Sequence, residues 1–396
     1  MHYFDPRIAA LSSGFALITL ILATGVSAQN TQVSLRQFDR VEKLEVEATT
    51  SANASLVDLN NDSHLDIFLA KGRHWPVDNQ VFKNDGQGKF QLIKQSWSAD
   101  KTYSAIVADF DNDGDQDIAT SNDRPNNNLI LLNNGSGRFT VAGNWGDPSW
   151  PTRNACAADL NGDGAVDLIA ANRKRPSYVC FNDGNGNFDS SRQQELPIGS
   201  ATTIVPGDFN NDGRVDLALP YRDGGQSLIC WNDSKHTFKK TTPFGSPTAI
   251  SRTGTAADLN DDGWLDLVTG DQTLGIVVFL NQGGRLAPIS TLKRPNLLPY
   301  SVAIADMNQD QILDIVVGYA TRSSEPNQAF GAVYFSPSKT ITPESVFERA
   351  TFANSPGAIY GLAVGDVDAD GFADIAAARS GGLNAIYFNE AGSPRP

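Results

Sequence analysis

The stretch Asp109-Phe110-Asp111-Asn112-Asp113-Gly114-Asp115-Gln116-Asp117 places carboxylates at its first, third, fifth and ninth positions and glycine at its sixth. The same pattern, Asp-x-Asp/Asn-x-Asp-x-x-x-Asp, begins again at Asp58, Asp159, Asp208, Asp258, Asp306 and Asp366. Spacings over the seven copies are 51, 50, 49, 50, 48 and 60 residues, the last widened by an insertion between Ala320 and Pro356. A fixed period of this length marks a repeat architecture before any single element is assigned.

Working outward, each copy has the same surroundings. A small, apolar run precedes the first Asp, as in Ser104-Ala105-Ile106-Val107-Ala108. Another follows the last, as in Leu168-Ile169-Ala170-Ala171, and a third comes after a polar turn, as in Ile276-Val277-Val278-Phe279. An Asn/Gly turn then leads to an aromatic residue, as in Asn182-Asp183-Gly184-Asn185-Gly186-Asn187-Phe188. Runs of this length between turn formers are strands. Four strands per unit, seven times over, predict an all-β chain: a seven-bladed β-propeller of four-stranded antiparallel blades.

The ends of the chain favour a closed ring over a solenoid. The last unit stops near Asn389-Glu390-Ala391-Gly392, where its fourth strand should begin. Phe38 precedes Asp58 by 20 residues, as Phe139, Phe188 and Phe238 precede their own first Asp. The segment from Phe38 to Ala48 therefore reads as a fourth strand without a blade. Pairing it with the last three closes the ring and removes both open edges.

Composition sets the compartment. Residues 1–28 read as a signal peptide, with Arg7, an apolar run from Ile8 to Val26, and Val26-Ser27-Ala28 at the cleavage point. The propeller then spans 29–396, a secreted or periplasmic chain with no membrane span after cleavage and expected to be monomeric. A formal charge of −14 argues against a nucleic-acid partner. Cys156, Cys180 and Cys230 are too few for a disulfide framework and read as buried small hydrophobes.

Oxygen donors at positions one, three, five and nine, with a backbone carbonyl at seven, describe a cage for calcium, up to seven ions with a structural role. The predicted ligands are Asp58, Asn60, Asp62 and Asp66 in the first loop and Asp109, Asp111, Asp113 and Asp117 in the second. Asp159, Asn161, Asp163 and Asp167 form the third, and Asp208, Asn210, Asp212 and Asp216 the fourth. Asp258, Asn260, Asp262 and Asp266, then Asp306, Asn308, Asp310 and Asp314, then Asp366, Asp368, Asp370 and Asp374 complete the set. Position seven varies widely and holds His64 in the first loop, as expected where only a carbonyl matters. Glutamate is missing from position twelve and the flanks are strands, so these are not EF-hands. Magnesium suits the donor set less, because it keeps several waters in strict octahedral geometry. Asx-turns alone would leave clustered carboxylates repelling one another in every copy. Seven divalent ions would offset the whole formal charge of −14.

With these repeats the chain resembles the FG-GAP/VCBS family of calcium-loop propellers, which includes the head of integrin α subunits. Residues 109–117 and 182–188 carry the resemblance, which covers nearly all of the mature chain. It implies that the metal loops share one face and that a ligand binds the other. Loops on that second face supply Arg73, Trp75, Arg124, Arg153, Arg173, Arg222, Arg252 and Arg379, with Trp97, Tyr103, Trp145, Trp150, Tyr300 and Tyr360 nearby. Guanidinium groups beside aromatic rings suit an anionic glycan, and a rigid propeller face equally suits an extracellular protein. Such folds host adhesion modules, lectins and some polysaccharide lyases. For lyase action on a uronate-containing polymer, His74, Tyr221 or Tyr300 would be the base and Arg153, Arg222 or Arg252 a carboxylate clamp. His236 falls in an outer turn and reads as a surface residue.

Ser63 and Gln311 replace the turn glycine at position six, where positive φ is required, at a cost of about 1 kcal/mol each. Their loops are expected to bind calcium weakest; a titration that finds all seven sites equally tight refutes this.

Overall fold

The computed structural model describes residues 36–97, 99–321 and 329–392; the expected signal at 1–28 lies outside them. Seven four-stranded antiparallel sheets form a ring. Among the described residues the only helix is a 3-10 turn at Ser190–Arg192, so none is long and apolar enough to cross a membrane. The innermost strands are Ser51–Val57, Thr102–Ala108, Thr152–Ala158, Val205–Gly207, Ser251–Ala257, Leu297–Ala305 and Ala358–Gly365. Each touches the next around the axis, and the seventh returns to the first. Crowding there explains the small residues. A Cβ on Gly361 would lie 2.6 Å from the Cα of Asn53 in the neighbouring blade.

The ring closes as the spacing of Phe38 predicts. Val41–Lys43 pairs antiparallel with Ala385–Tyr387 as the fourth strand of blade 7, and Arg36–Gln37 pairs with Glu390–Ala391. Phe38 is buried in the layer between blades 6 and 7 and contacts Phe352. Glu45 adds a polar latch, accepting from the buried Lys71 of blade 1 with one oxygen and from Asn384 of blade 7 with the other.

Seven apolar layers fill the seven junctions, each drawn from two adjacent blades. Cys156, Cys180 and Cys230 sit in these layers as free thiols, and burial pushes Cys180 and Cys230 up to about 12. Each fully buried Leu, Ile or Phe contributes about 1.5–3 kcal/mol, so apolar burial dominates the energy of every junction. It is non-directional, and register needs a polar device.

That device is the asparagine that opens the Asn/Gly turn. Asn182 donates from Nδ2 to the carbonyl of Phe110 in the preceding blade, at 2.8 Å, and to that of Val166 in its own, at 3.1 Å. Asn84, Asn133, Asn232, Asn281 and Asn389 make the same two bonds at their junctions. Blade 6 has Ser336 instead, whose hydroxyl reaches only Leu313 in its own blade. The junction between blades 5 and 6 thus lacks the staple, although Lys339 and Asp261 pair across it at 2.7 Å.

Asn182→Ala leaves two buried carbonyls unpaired and is expected to cost about 2–4 kcal/mol. A urea midpoint within error of wild type would show that the staple contributes nothing.

Candidate functional site

All seven acidic loops fold alike. The first Asp accepts from the backbone N–H of position six in every copy, at 2.7–3.0 Å. The fifth accepts from the N–H of position seven, at 2.8–3.1 Å. Position six is left-handed throughout, including Ser63 at φ +69 and Gln311 at φ +66. At Gly114, Gly164, Gly213 and Gly263 an added Cβ would meet nothing within 4 Å, so the demand for glycine there is conformational, not steric.

The ninth Asp has a second task. Asp167 accepts from Leu160 N at 3.0 Å with one oxygen and from Asn182 N at 2.9 Å with the other, tying the loop to the end of the third strand. Asp66, Asp117, Asp216, Asp266, Asp314 and Asp374 repeat this pair of bonds. Burial pushes Asp66 up to about 6 and the other six to about 7, despite those donors. A divalent cation at the loop would oppose that protonation.

The second and seventh loops fit a cation best. Asp109, Asp111 and Asp117, and likewise Asp366, Asp368 and Asp374, bring carboxylate oxygens within 4.8 Å of one another. Asp111 Oδ1, Asp366 Oδ1 and Asp368 Oδ1 are buried without a hydrogen-bond partner. Elsewhere the third position is Asn, and Asn161, Asn260 and Asn308 satisfy the fifth-position carboxylate through Nδ2 at 2.9 Å. Oxygen-only donor sets of this kind could hold calcium. His64 turns back to Asp62 at 3.3 Å.

Six residues upstream of each first Asp, toward the end of the blade opposite the acidic loop, sit Ala52, Tyr103, Arg153, Thr202, Arg252, Tyr300 and Tyr360, all but Thr202 within the innermost strand. Six of these innermost strands carry a register shift at this residue, blade 4 being the exception. A bulge re-aims its extra side chain, and here all seven line one axial cavity of about 290 Å³. Ala52 and Thr202 are the small members of the ring, and their own blades send Arg73 and Arg222 into the cavity from the next loop. Arg173 and His74 complete its charged lining.

Guanidinium groups lie against phenol rings around the wall. Arg153 lies 4.3 Å from the ring centre of Tyr103, Arg73 lies 3.6 Å from that of Tyr360, and Arg252 lies 3.7 Å from that of Tyr300. Two carboxylates brace one side. Asp123 contacts Arg153 at 2.9 Å and His74 at 3.3 Å. Asp223 contacts Arg173 at 3.1 Å and Arg222 at 3.8 Å. Burial lowers Arg222 and pushes Arg252 down to about 10. Partial burial, and then Arg73, hold His74 below the usual imidazole range; its ring also meets the Tyr103 hydroxyl at 2.9 Å.

The structure brings together Arg73, Arg153, Arg173, Arg222, Arg252, His74 and Tyr300. It does not bring the others. Arg124 and Trp75 are exposed outside the lining, Trp75 at 68%. Arg379 is buried and holds the carbonyls of Pro356 and Gly357 at 3.0 and 3.3 Å. Tyr221 packs into the layer between blades 3 and 4. Trp145 and Trp150 are also buried, the latter stacked on Tyr178 at 4.3 Å. His236 is half-buried rather than on the surface, against Asn232 at 3.2 Å. Asp223 was missed by sequence reasoning, since no spacing marks a brace.

A family model described as FG-GAP-like repeat matches residues 58–120, 109–170, 159–219 and 258–317, together more than half of the chain. Among curated proteins, none matches the chain by sequence. Similar solved structures include BBS1N in complex with ARL6DN, at TM-score 0.59 and 10% identity over 91% of this chain and 97% of that one. Another is a lectin of Agrocybe aegerita, in a structure describing recognition of non-reducing terminal N-acetylglucosamine. It has TM-score 0.53 and 18% identity, over 84% of this chain and 86% of the lectin. At these identities the likeness is one of fold.

Ser63→Gly and Gln311→Gly relieve left-handed strain and are expected to stabilise the calcium-free protein by up to about 1 kcal/mol each. Unfolding curves unchanged or shifted downward in both variants would count against strain at position six.

Proposed function

The chain belongs to the FG-GAP-like repeat family, and on that premise we propose that it is a secreted or periplasmic calcium-binding propeller that uses its axial cavity to bind an anionic ligand. The ligand is an anionic glycan or an acidic patch on an extracellular protein, and the protein acts as a binding or adhesion module. One observation carries this reading: five arginines line a single cavity and, among the described residues, only two carboxylates, Asp123 and Asp223, pair with them. Arg222 is 7% exposed and meets Asp223 only at 3.8 Å, while its Nε is buried without a partner, and Arg73 and Arg252 have no carboxylate partner among the described residues. Phenol rings beside the guanidinium groups suit a sugar ring that carries an acid. A lectin on the same fold is consistent with a glycan ligand. Calcium would be held by the seven Asp/Asn loops at the far ends of the innermost strands, where its role is to fix loop geometry.

A second reading, a lyase on a uronate polymer, draws on His74. The ring sits at the cavity with its pKa lowered, so it is neutral at pH 7 and able to take a proton. Tyr300 and Arg222 line the same cavity, whereas Tyr221 does not.

Both readings meet in one experiment on the calcium-loaded protein, electrophoresis through gels cast with uronate-rich or sulfated polysaccharides. Retardation with intact polymer is the expected result. Polymer degradation that disappears in His74→Ala would establish the lyase, and unchanged mobility in every gel would refute glycan binding.

A further inference from the structure

The charge lining the cavity is divided, and the division locates the bound group. Blades 2 to 4 form a braced arc, where Asp123 and Asp223 already engage Arg153, Arg173 and Arg222. Blades 5 to 7 and blade 1 contribute Arg252, Tyr300, Tyr360 and Arg73, and among the described residues no carboxylate pairs with a guanidinium of that arc. Among the described residues neither Arg73 nor Arg252 has an ion-pair partner.

We propose that the cavity holds one oxyanion, a carboxylate or a sulfate ester, between Arg73 and Arg252, with Tyr300 and Tyr360 as its floor. The inference rests on the reading of the cavity as an anion site and specifies which of its arginines carry the charge recognition. Arg73 and Arg252 lie 3.6 and 5.9 Å from the same Tyr360 ring centre, so two cations share one phenol. Arg73 is among the charges that disfavour the charged form of Arg252, and an anion between the two guanidinium groups would offset that repulsion. The Nε of Arg73 is buried without a partner, and its backbone is left-handed at φ +51. Such strain in a non-glycine residue persists where the surroundings dictate the side-chain position. Tyr300 and Tyr360 meet at 4.9 Å between centroids, and among the described residues neither hydroxyl is hydrogen-bonded, leaving two further donors. Burial lowers Arg252, the sign of a guanidinium that gains most from a counter-ion. Asp123 and Asp223 then position the braced arginines as a wall and reject a second anion.

The test is isothermal titration of the calcium-loaded protein with galacturonate oligomers and, separately, with sulfated disaccharides. Wild type is compared with Arg73→Met, Arg252→Met, Arg252→Lys and Arg173→Met, each checked for an unchanged circular dichroism spectrum. Loss of about tenfold or more in affinity is expected in Arg73→Met and Arg252→Met, partial recovery in Arg252→Lys, and only about two- to threefold loss in Arg173→Met. Whichever oligomer shows this ranking identifies the oxyanion as carboxylate or sulfate. Equal losses in Arg173→Met and Arg252→Met would overturn the divided cavity while leaving anion binding intact. Absence of binding by wild type to both oligomers would overturn the anion site and this inference together.

Discussion

The propeller depends on a buried carboxylate. In every blade the ninth residue of the acidic loop accepts one backbone N–H from the loop and one from the end of the third strand. An isolated carboxylate would not be buried without such donors, because the desolvation cost is too high. The two bonds hold the loop over the sheet and fix where the third strand ends. They also place the following side chain, the asparagine whose Nδ2 crosses to the preceding blade. Loop shape, strand register and inter-blade register thus share one anchor, repeated at intervals of about fifty residues. Apolar layers supply most of the energy, but the carboxylate and the asparagine decide which arrangement that energy stabilises.

The cavity is a by-product of the same geometry. Innermost strands pack so tightly that a methyl group on Gly361 would collide with blade 1. At the end away from the acidic loop a bulge in six of the blades releases that crowding and swings a side chain toward the axis. A propeller built this way lines its axis largely with residues from one repeat position, to which the following loops add Arg73, His74, Arg173 and Arg222. Here the position holds two arginines and three tyrosines, and its two small residues are overlain by arginines from their own blades.

Much of this was legible in the sequence. Repeat period, strand number, ring closure through the segment around Phe38, and left-handed turns at Ser63 and Gln311 all follow from spacing and backbone chemistry. Assignment of individual side chains to the ligand face was less complete. Arg379 and Arg222 occupy equivalent-looking loops, yet one holds a buried stretch of backbone and the other reaches the cavity. The difference lies in tertiary neighbours, Pro356 and Gly357 in one case and the small Thr202 in the other, which one-dimensional spacing does not encode. Tyr221 shows the same limit, since Gly225 leaves room for its ring to lie flat against the blade. A better signal was available: the sixth residue before each first Asp carries no packing pattern, being Ala, Tyr, Arg, Thr, Arg, Tyr and Tyr. Variation at a fixed place in a tightly restricted repeat points to a position free for function.

The two faces also differ in charge, and distance governs how they communicate. An innermost strand of seven residues spans about 23 Å, whereas the screening length at physiological ionic strength is about 8 Å. Charge on the loop face therefore reaches the cavity only weakly through solvent. Any influence of calcium on the ligand must travel along the strand itself: loop to ninth carboxylate, carboxylate to strand register, register to the bulge that aims Arg252 or Tyr300. A metal held in the loops would act on the cavity as a constraint on shape. The junction between blades 5 and 6, with Ser336 where every other blade has asparagine, is where that constraint is least redundant. Arg252 and Tyr300, on either side of that junction, are the pair whose spacing depends most on the loops being held.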